Sequence, residues 1–198
     1  MNENNREESV TLEILQAIDE KDNVTQRHLS ERLGVALGLT NSYLKRCARK
    51  GYIKVQQAPA NRYLYYLTPK GFSEKSRLTA KYLSASFGFY RKAGDSYRAL
   101  FSIAKDNQWQ NLLFCGASEL AEIASIQLFE FDLSHIATFD DRRSLNSYLG
   151  KPVWHALDKK QDVDAYLITS LDDFERIYKL VRTSVDEQRI LIPDFLSI

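Results

Sequence analysis

The sequence predicts an α/β protein made of two unlike parts, a helix-rich module closed by a short hairpin and a parallel-sheet domain, with linking helices between them. Three observations predict this. Two runs rich in Tyr, Ile, Val and Leu, "GYIKVQQ" and "RYLYYLT", flank the turn "APAN" directly after a series of helical periodicities. From residue 110 onward, strand and helix signals alternate. Charge divides the same way: residues 1–95 hold 16 Lys/Arg against 10 Asp/Glu, a net of +6, whereas residues 96–198 hold 11 against 16, a net of −5. The near-neutral total of +1 therefore averages a basic half and an acidic half, as expected of modules with different partners. The boundaries expected are 1–72 for the first module, 73–109 for the linking helices and 110–198 for the sheet domain.

Composition excludes several classes. With 44% hydrophobic and 27% charged residues the chain is neither disordered nor fibrous. No apolar run approaches the ~20 residues that cross a bilayer. The polar, acidic start "MNENNREESV" reads as neither a secretory signal nor a transit peptide, so a cytoplasmic protein without membrane contact is expected. Cys47 and Cys115 fit a reduced pair better than a disulfide.

In the first module, Val10, Ile14, Leu15 and Ile18 set a helix over Glu8–Glu20. Thr25 caps a second helix from Gln26 to Arg32, and Gly34 ends it where a left-handed residue turns the chain. A third helix runs from Leu37 to Lys50 and stops at Gly51, completing a helix-turn-helix outline. Its spacing turns Leu37, Thr40, Leu44 and Cys47 inward and Gly38, Asn41, Ser42, Lys45, Arg46 and Arg49 outward. Leu37 to Val55 carries five cationic side chains and no acidic one. Small residues allow close approach to a DNA groove, Asn pairs with adenine, and Lys or Arg reaches guanine or phosphate. Charge on a helix also arises from mere exposure to solvent, but a hairpin directly after such a helix makes a wing. The tip of that wing, with Gln57, Asn61 and Arg62, suits a phosphate backbone or a minor groove. Thr25, Gln26, Gly38, Asn41, Ser42, Lys45, Arg46, Arg49, Asn61 and Arg62 are the expected contacts to double-stranded DNA.

These pieces also carry a resemblance. "TQRHLSERLG", "LGLTN", "RKGYIK" and "LTPKGFSEKSRLT", in that order, resemble the MarR-type winged-helix regulators associated with exopolysaccharide genes. The resemblance covers residues 9 to about 90 and implies a dimeric DNA-binding transcriptional regulator. Members of that group end soon after the helix that starts at Pro69, so the rest of this chain lies outside it.

From Pro69 to Trp109 the pattern stays helical, with breaks expected near Gly88 and Gly94. Leu78, Tyr82, Phe87, Phe89, Tyr90, Tyr97, Leu100, Phe101 and Ile103 offer surface for pairing with a second copy, and a homodimer is expected.

Further on, "QNLLFCGASELAEIASIQLFEFDLSHIATFDD" reads strand, turn, helix, strand, and "DAYLITS", "LDDFERIYKLVRTSV" and "RILIPDF" repeat the pattern. "KPVWHAL" has room for one more short strand. A small Rossmann-like parallel sheet of about five strands is expected, with its ligand crevice beyond the C-terminal strand ends. Gly116, Ala117, Ser118 and Asp140 are the candidate residues there for a nucleotide or nucleotide-sugar effector: amides at a helix start hold phosphate, and Asp140 stands where a ribose-binding acid is expected. Only one glycine of the dinucleotide fingerprint is present, and Glu119 would oppose a pyrophosphate, so a ligand-free domain used for contacts stays open beside it. The stretch "GASELAEIA" with "ITSLDD" resembles nucleotide-binding-like domains of sugar-modifying proteins from polysaccharide clusters. The pairing of modules is similar in architecture to redox-sensing repressors that join a winged helix to an NAD(H)-binding domain.

His28, His135 and His155 are scattered and have no partner at metal-ligand spacing, so no metal is expected. No phosphate-binding loop, nucleophile elbow or acid–base pair is present, and no catalytic residues are assigned. Two readings follow. One is a regulator whose second domain senses a ligand or contacts a protein. The other is a nucleotide-sugar or NAD-dependent enzyme whose winged helix only mediates protein contacts.

Overall fold

The computed structural model describes residues 3–21, 24–58, 62–157 and 162–196. It divides into two compact units, Met1–Ser86 and Phe87–Ile198.

The first unit holds α1 (Glu3–Glu20), α2 (Gln26–Leu33), α3 (Leu37–Arg49), the hairpin strands β1 (Ile53–Ala58) and β2 (Arg62–Leu67), and the start of α4 (Pro69–Asp106). Helix α1 begins earlier than its apolar pattern requires, but the buried side chains are the expected ones: Ile14, Leu15 and Ile18 form one core with Leu29, Leu44, Cys47, Ile53 and Tyr65. Both helix stops use left-handed glycines. At Gly34, φ is 61°, and the Val35 amide donates back to the Ser30 carbonyl. At Gly51, φ is 75°, and the Tyr52 amide donates to the Cys47 carbonyl. Such 6→1 closures satisfy carbonyls that a helix end leaves open, and they fix the angles at which α3 follows α2 and the hairpin follows α3. The hairpin is antiparallel, pairing Ile53 with Leu67 and Ala58 with Arg62.

One unbroken helix of 38 residues, α4, replaces the interrupted linking helices expected from Gly88 and Gly94. A glycine in a helix weakens it by about 1 kcal/mol but does not stop it. Gly94 has a packing role: a Cβ there would lie 3.3 Å from the buried Gln127 side chain. The boundary between the units falls within this helix, after Ser86.

The second unit contains a six-stranded sheet in the order β5-β6-β4-β3-β7-β8. Its strands are β3 (Asn111–Cys115), β4 (Ser134–Phe139), β5 (Ser147–Tyr148), β6 (Lys151–Trp154), β7 (Ala165–Ile168) and β8 (Ile190–Leu191), with helices α5 (Glu119–Leu128) and α6 (Phe174–Ser184) between them. All pairings are parallel except that of β5 with β6. "KPVWHAL" supplies β6, and β5 is an additional edge strand that the sequence reading did not foresee. The link from β4 to β6 carries β5 where a helix would complete the alternation. Strand order reverses between β3 and β7, the place where open parallel sheets form a crevice.

The core of this unit takes Ala93, Tyr97, Leu100, Phe101 and Ala104 from α4, Leu112–Cys115 of β3, the fully buried strand β7, and Ile177 and Val181 from α6. Tyr97, Leu100 and Phe101 are thus used within their own unit and not as surface for a second copy; Tyr97 donates its hydroxyl to the Ile168 carbonyl at 3.2 Å. Phe72, Tyr82, Leu83, Phe87, Phe89, Tyr90 and Ile103 are the large apolar side chains that α4 leaves exposed.

His135 is 6% exposed, stacks on Phe114 with ring centroids 4.0 Å apart, and shares a 3.0 Å hydrogen bond with Thr138 Oγ1. Burial lowers its pKa from 6.5 to about 4. Between those values the unfolded chain binds a proton that the folded one refuses, so stability falls as pH drops through this window. The expected loss attributable to His135 is roughly 3 kcal/mol. Urea unfolding at neutral pH and near pH 4.5 checks it: His135→Gln is expected to flatten this part of the pH dependence, and an unchanged slope would refute the assignment.

Candidate nucleic-acid interface

Helix α3 presents a basic ridge because one face alone meets the core. Thr40, Leu44 and Cys47 are buried, with exposures of 0%, 3% and 3%. Gly38, Ser42, Lys45 and Arg49 lie opposite and are exposed. Leu37 departs from expectation. It stands 48% exposed, because the first turn of α3 extends past the core that Thr40 begins to meet. The helix has no acidic residue in its first turn and no side-chain N-cap. Gly38 has open space around it: among the described residues a Cβ added there would meet no atom within 4 Å.

The predicted contacts do not all fall on this ridge. Asn41 is half-buried on one flank, where it lines an open groove of about 380 Å³ with Gln26, Lys45, Tyr63 and other residues of α3, β1 and β2. Leu44, Ala48, Val55 and Tyr65 give this groove an apolar lining, and Tyr63 stands 48% exposed beside it. Gln26 donates Nε2 to the Tyr65 hydroxyl at 2.7 Å, tying the start of α2 to the hairpin. Thr25 is the N-cap of α2, accepting from the His28 amide at 3.2 Å. On the other flank Arg46 turns to α1, where it meets the Glu7 carboxylate at 2.5 Å, and Lys50 meets the same carboxylate at 3.2 Å. Arg46 therefore leaves the ridge on which its helical position had placed it. Lys45 and Arg49 make no ion pair among the described residues.

Other basic residues of the unit are similarly held. Arg32 pairs with Glu20 at 2.7 Å, Lys75 with Asp19 at 2.5 Å, and Arg77 with both Glu74 and Glu8, which also pairs with Lys81. The acids of α1 thereby neutralise cations of α2, α3 and α4. Asn61 lies outside the described residues, and Arg62 is placed only through its backbone as the first residue of β2. Gln57 is exposed near the hairpin tip. Tyr63 and Glu7 were missed in the sequence. Tyr63 alternates with Tyr65 in "RYLYYLT", which marks a shared strand face, but nothing local shows that Glu7 reaches α3.

In the second unit the four candidate ligand residues come together beyond the C-terminal ends of β3 and β4, and their hydrogen bonds run among themselves and to the ends of these strands and of β7. Asp140, 6% exposed, accepts from the Ala117 amide at 3.1 Å and from the Arg142 and Arg143 amides at 3.0 Å each. Burial acts to raise its pKa, but these amides outweigh it and hold the carboxyl below its ordinary value. Ser118 caps α5 by accepting from the Leu120 amide, and donates its hydroxyl to the Thr169 carbonyl at 2.5 Å. Thr169 in turn donates to the Gly116 carbonyl at 2.7 Å. Gly116 sits at φ 113°, and a Cβ there would lie 2.6 Å from Ser170 Cβ, so glycine is required by both backbone and space. Arg142 in the loop after β4 pairs with Asp173 at the start of α6, and Arg176 of α6 pairs with Asp141 of that loop as well as with Asp173. A phosphate at Ala117 would have to displace the Asp140 carboxylate. Cys47 and Cys115 are both free and buried, and burial raises the Cys47 thiol to about 11. Among the described residues no group of His, Cys, Asp and Glu could hold a metal ion, and no helix is long and apolar enough to cross a membrane.

Comparison with known proteins finds a family match within the first unit. No curated protein matches the chain. Among solved structures, the PcaV transcriptional regulator of Streptomyces coelicolor, in complex with its natural ligand, is 23% identical over 40% of this chain and 57% of its own, with a TM-score of 0.38. MepR, a transcription regulator of the Staphylococcus aureus multidrug efflux pump MepA, is 22% identical over 42% of this chain and 61% of its own, with a TM-score of 0.37. A mutant MepR bound to an oligodeoxyribonucleotide is 21% identical over 42% and 61%, with a TM-score of 0.36. The chain thus spans less than two thirds of the length of these proteins. Residues 8–54, from within α1 to the start of β1, match the winged helix-turn-helix DNA-binding family, so that the N-terminal part of this α/β chain is a winged helix-turn-helix.

Proposed function

We propose that the protein is a sequence-specific DNA-binding transcriptional regulator, cytoplasmic and homodimeric, that controls surface-polysaccharide or sugar-related genes. The observation that carries DNA binding is the ridge on α3: Lys45 and Arg49 unpaired among the described residues, next to Ser42 and Gly38, with the hairpin wing beside it. Asn41, Ser42, Lys45 and Arg49 supply base and phosphate contacts, and Asn61 and Arg62 extend them along the wing. The exposed aromatic side chains of α4 support pairing with a second copy. The second domain is Rossmann-like in its strand order, with a role in nucleotide sensing or protein contact. The self-bonded turn at Gly116 favours protein contact, because the amide offered to a phosphate is already taken by Asp140.

The test is fluorescence anisotropy of the full chain with duplex DNA from upstream of its own gene, against a scrambled duplex, across a salt series. Saturable binding that prefers the upstream sequence and weakens linearly in log salt is expected. Absence of binding to either duplex at low salt would refute the reading.

A further inference from the structure

The basic residues at the C-terminal end of α3 are treated unequally by α1. Lys45 and Arg49 make no ion pair among the described residues, whereas Arg46 and Lys50 converge on one carboxylate, that of Glu7, at 2.5 and 3.2 Å. The side chains of Arg46, Lys50 and Glu7 are 40%, 48% and 29% exposed, so the cluster sits at the surface. Hydrogen bonds from Arg46 and then Lys50 hold the Glu7 carboxyl below its ordinary range.

We propose that Glu7 is a specificity-determining residue: it withholds Arg46 and Lys50 from the phosphate backbone and so suppresses sequence-independent binding, leaving recognition to the ridge. This rests on the DNA-binding reading above. Phosphate contacts carry no sequence information, and each cation that makes one adds about 0.9 to the slope of log affinity against log salt. Two withheld cations therefore remove up to about two units of slope. Non-specific complexes gain most from their release, since there the protein is free to shift and tilt toward phosphates. In a specific complex, base contacts from the ridge fix the register of α3.

The experiment compares wild type, Glu7→Gln, Glu20→Gln and Glu7→Gln/Arg46→Gln as full chains, by anisotropy with the upstream and scrambled duplexes. Glu7→Gln is isosteric and its site is on the surface; Glu7→Ala serves as a second variant with the same expected direction. Glu7→Gln is expected to bind the scrambled duplex about tenfold more tightly near ~0.1 M salt, with a slope steeper by about one to two units, and to narrow the preference for the upstream duplex. Adding Arg46→Gln takes back about one unit of slope. Glu20→Gln removes the same charge from α1 but frees Arg32 of α2, and is expected to leave the slope nearly unchanged. Unchanged scrambled-duplex binding in Glu7→Gln, or an equal gain in Glu20→Gln, would overturn the inference. So would an equal gain on both duplexes. If wild type binds neither duplex, the DNA-binding reading falls and the inference with it; if wild type binds and Glu7→Gln matches it, only the inference falls.

Discussion

Replacing both Lys45 and Arg49 with alanine lowers affinity for the upstream duplex by about a hundredfold and flattens the salt dependence by about two units. Both side chains are exposed on the face of α3 opposite Thr40, Leu44 and Cys47, and neither contributes an ion pair among the described residues. Their removal leaves the core intact, and alanine is a better helix former than either, so the thermal midpoint should stay within a few degrees of wild type. The measurement is anisotropy across a salt series, paired with thermal unfolding by circular dichroism. Unchanged affinity at an unchanged midpoint would show that α3 does not face DNA. A single Arg46→Ala, by contrast, is expected to change the slope by well under one unit, because its guanidinium is already occupied by Glu7.

Gly71→Ala reaches the same loss of DNA binding by a different route. Gly71 is the third residue of α4, and its amide donates to Thr68 Oγ1 at 3.0 Å. The Thr68 amide and hydroxyl both donate to the Tyr52 carbonyl, drawing the start of α4 against the residue that leads into β1. A Cβ on residue 71 would stand 1.9 Å from that carbonyl oxygen and 2.9 Å from Leu67 Cδ1. Backbone cannot swing aside as the end of a long side chain does, so the helix start must move away from the hairpin. The expected cost is about 3 kcal/mol or more, a fall in midpoint on the order of 10 °C for the transition of this unit. Gly88→Ala provides the contrast. Position 88 is in the same helix with nothing within 4 Å, so alanine there should stabilise by up to about 1 kcal/mol. If both substitutions raise stability, the contact at Tyr52 does not exist in solution.

The stops at Gly34 and Gly51, the cap at Thr25, the hairpin and the inward set Thr40, Leu44 and Cys47 were legible because each is a local property: a backbone angle, one hydrogen bond, or a period. Most strands of the second unit were legible for the same reason, as short apolar runs between turn residues. The break expected in α4 failed because the effect of glycine on a helix is small beside the burial of Ala93, Tyr97 and Phe101 that keeps the segment helical through Gly94. The inward placement of Leu37 failed because periodicity says which side a residue faces but not how far the partner surface extends.

At the candidate sites, the residue types were readable and their engagements were not. The sequence by itself determined that a basic, acid-free helix would be followed by a hairpin, and that a glycine turn would lie near Asp140. Only the tertiary structure decided which cations remain available. Glu7 and Arg46 are brought together by the packing of α1 on α3, a contact that no spacing along the chain encodes. The same holds for the Ala117 amide, which reaches the Asp140 carboxylate only once β3 and β4 align in parallel, whereas the Arg142 amide two residues on is a local turn contact. Local patterns fix backbone conformation because their energetics involve neighbours in sequence. The pairing of long charged side chains is fixed only when elements distant in the chain are folded against each other.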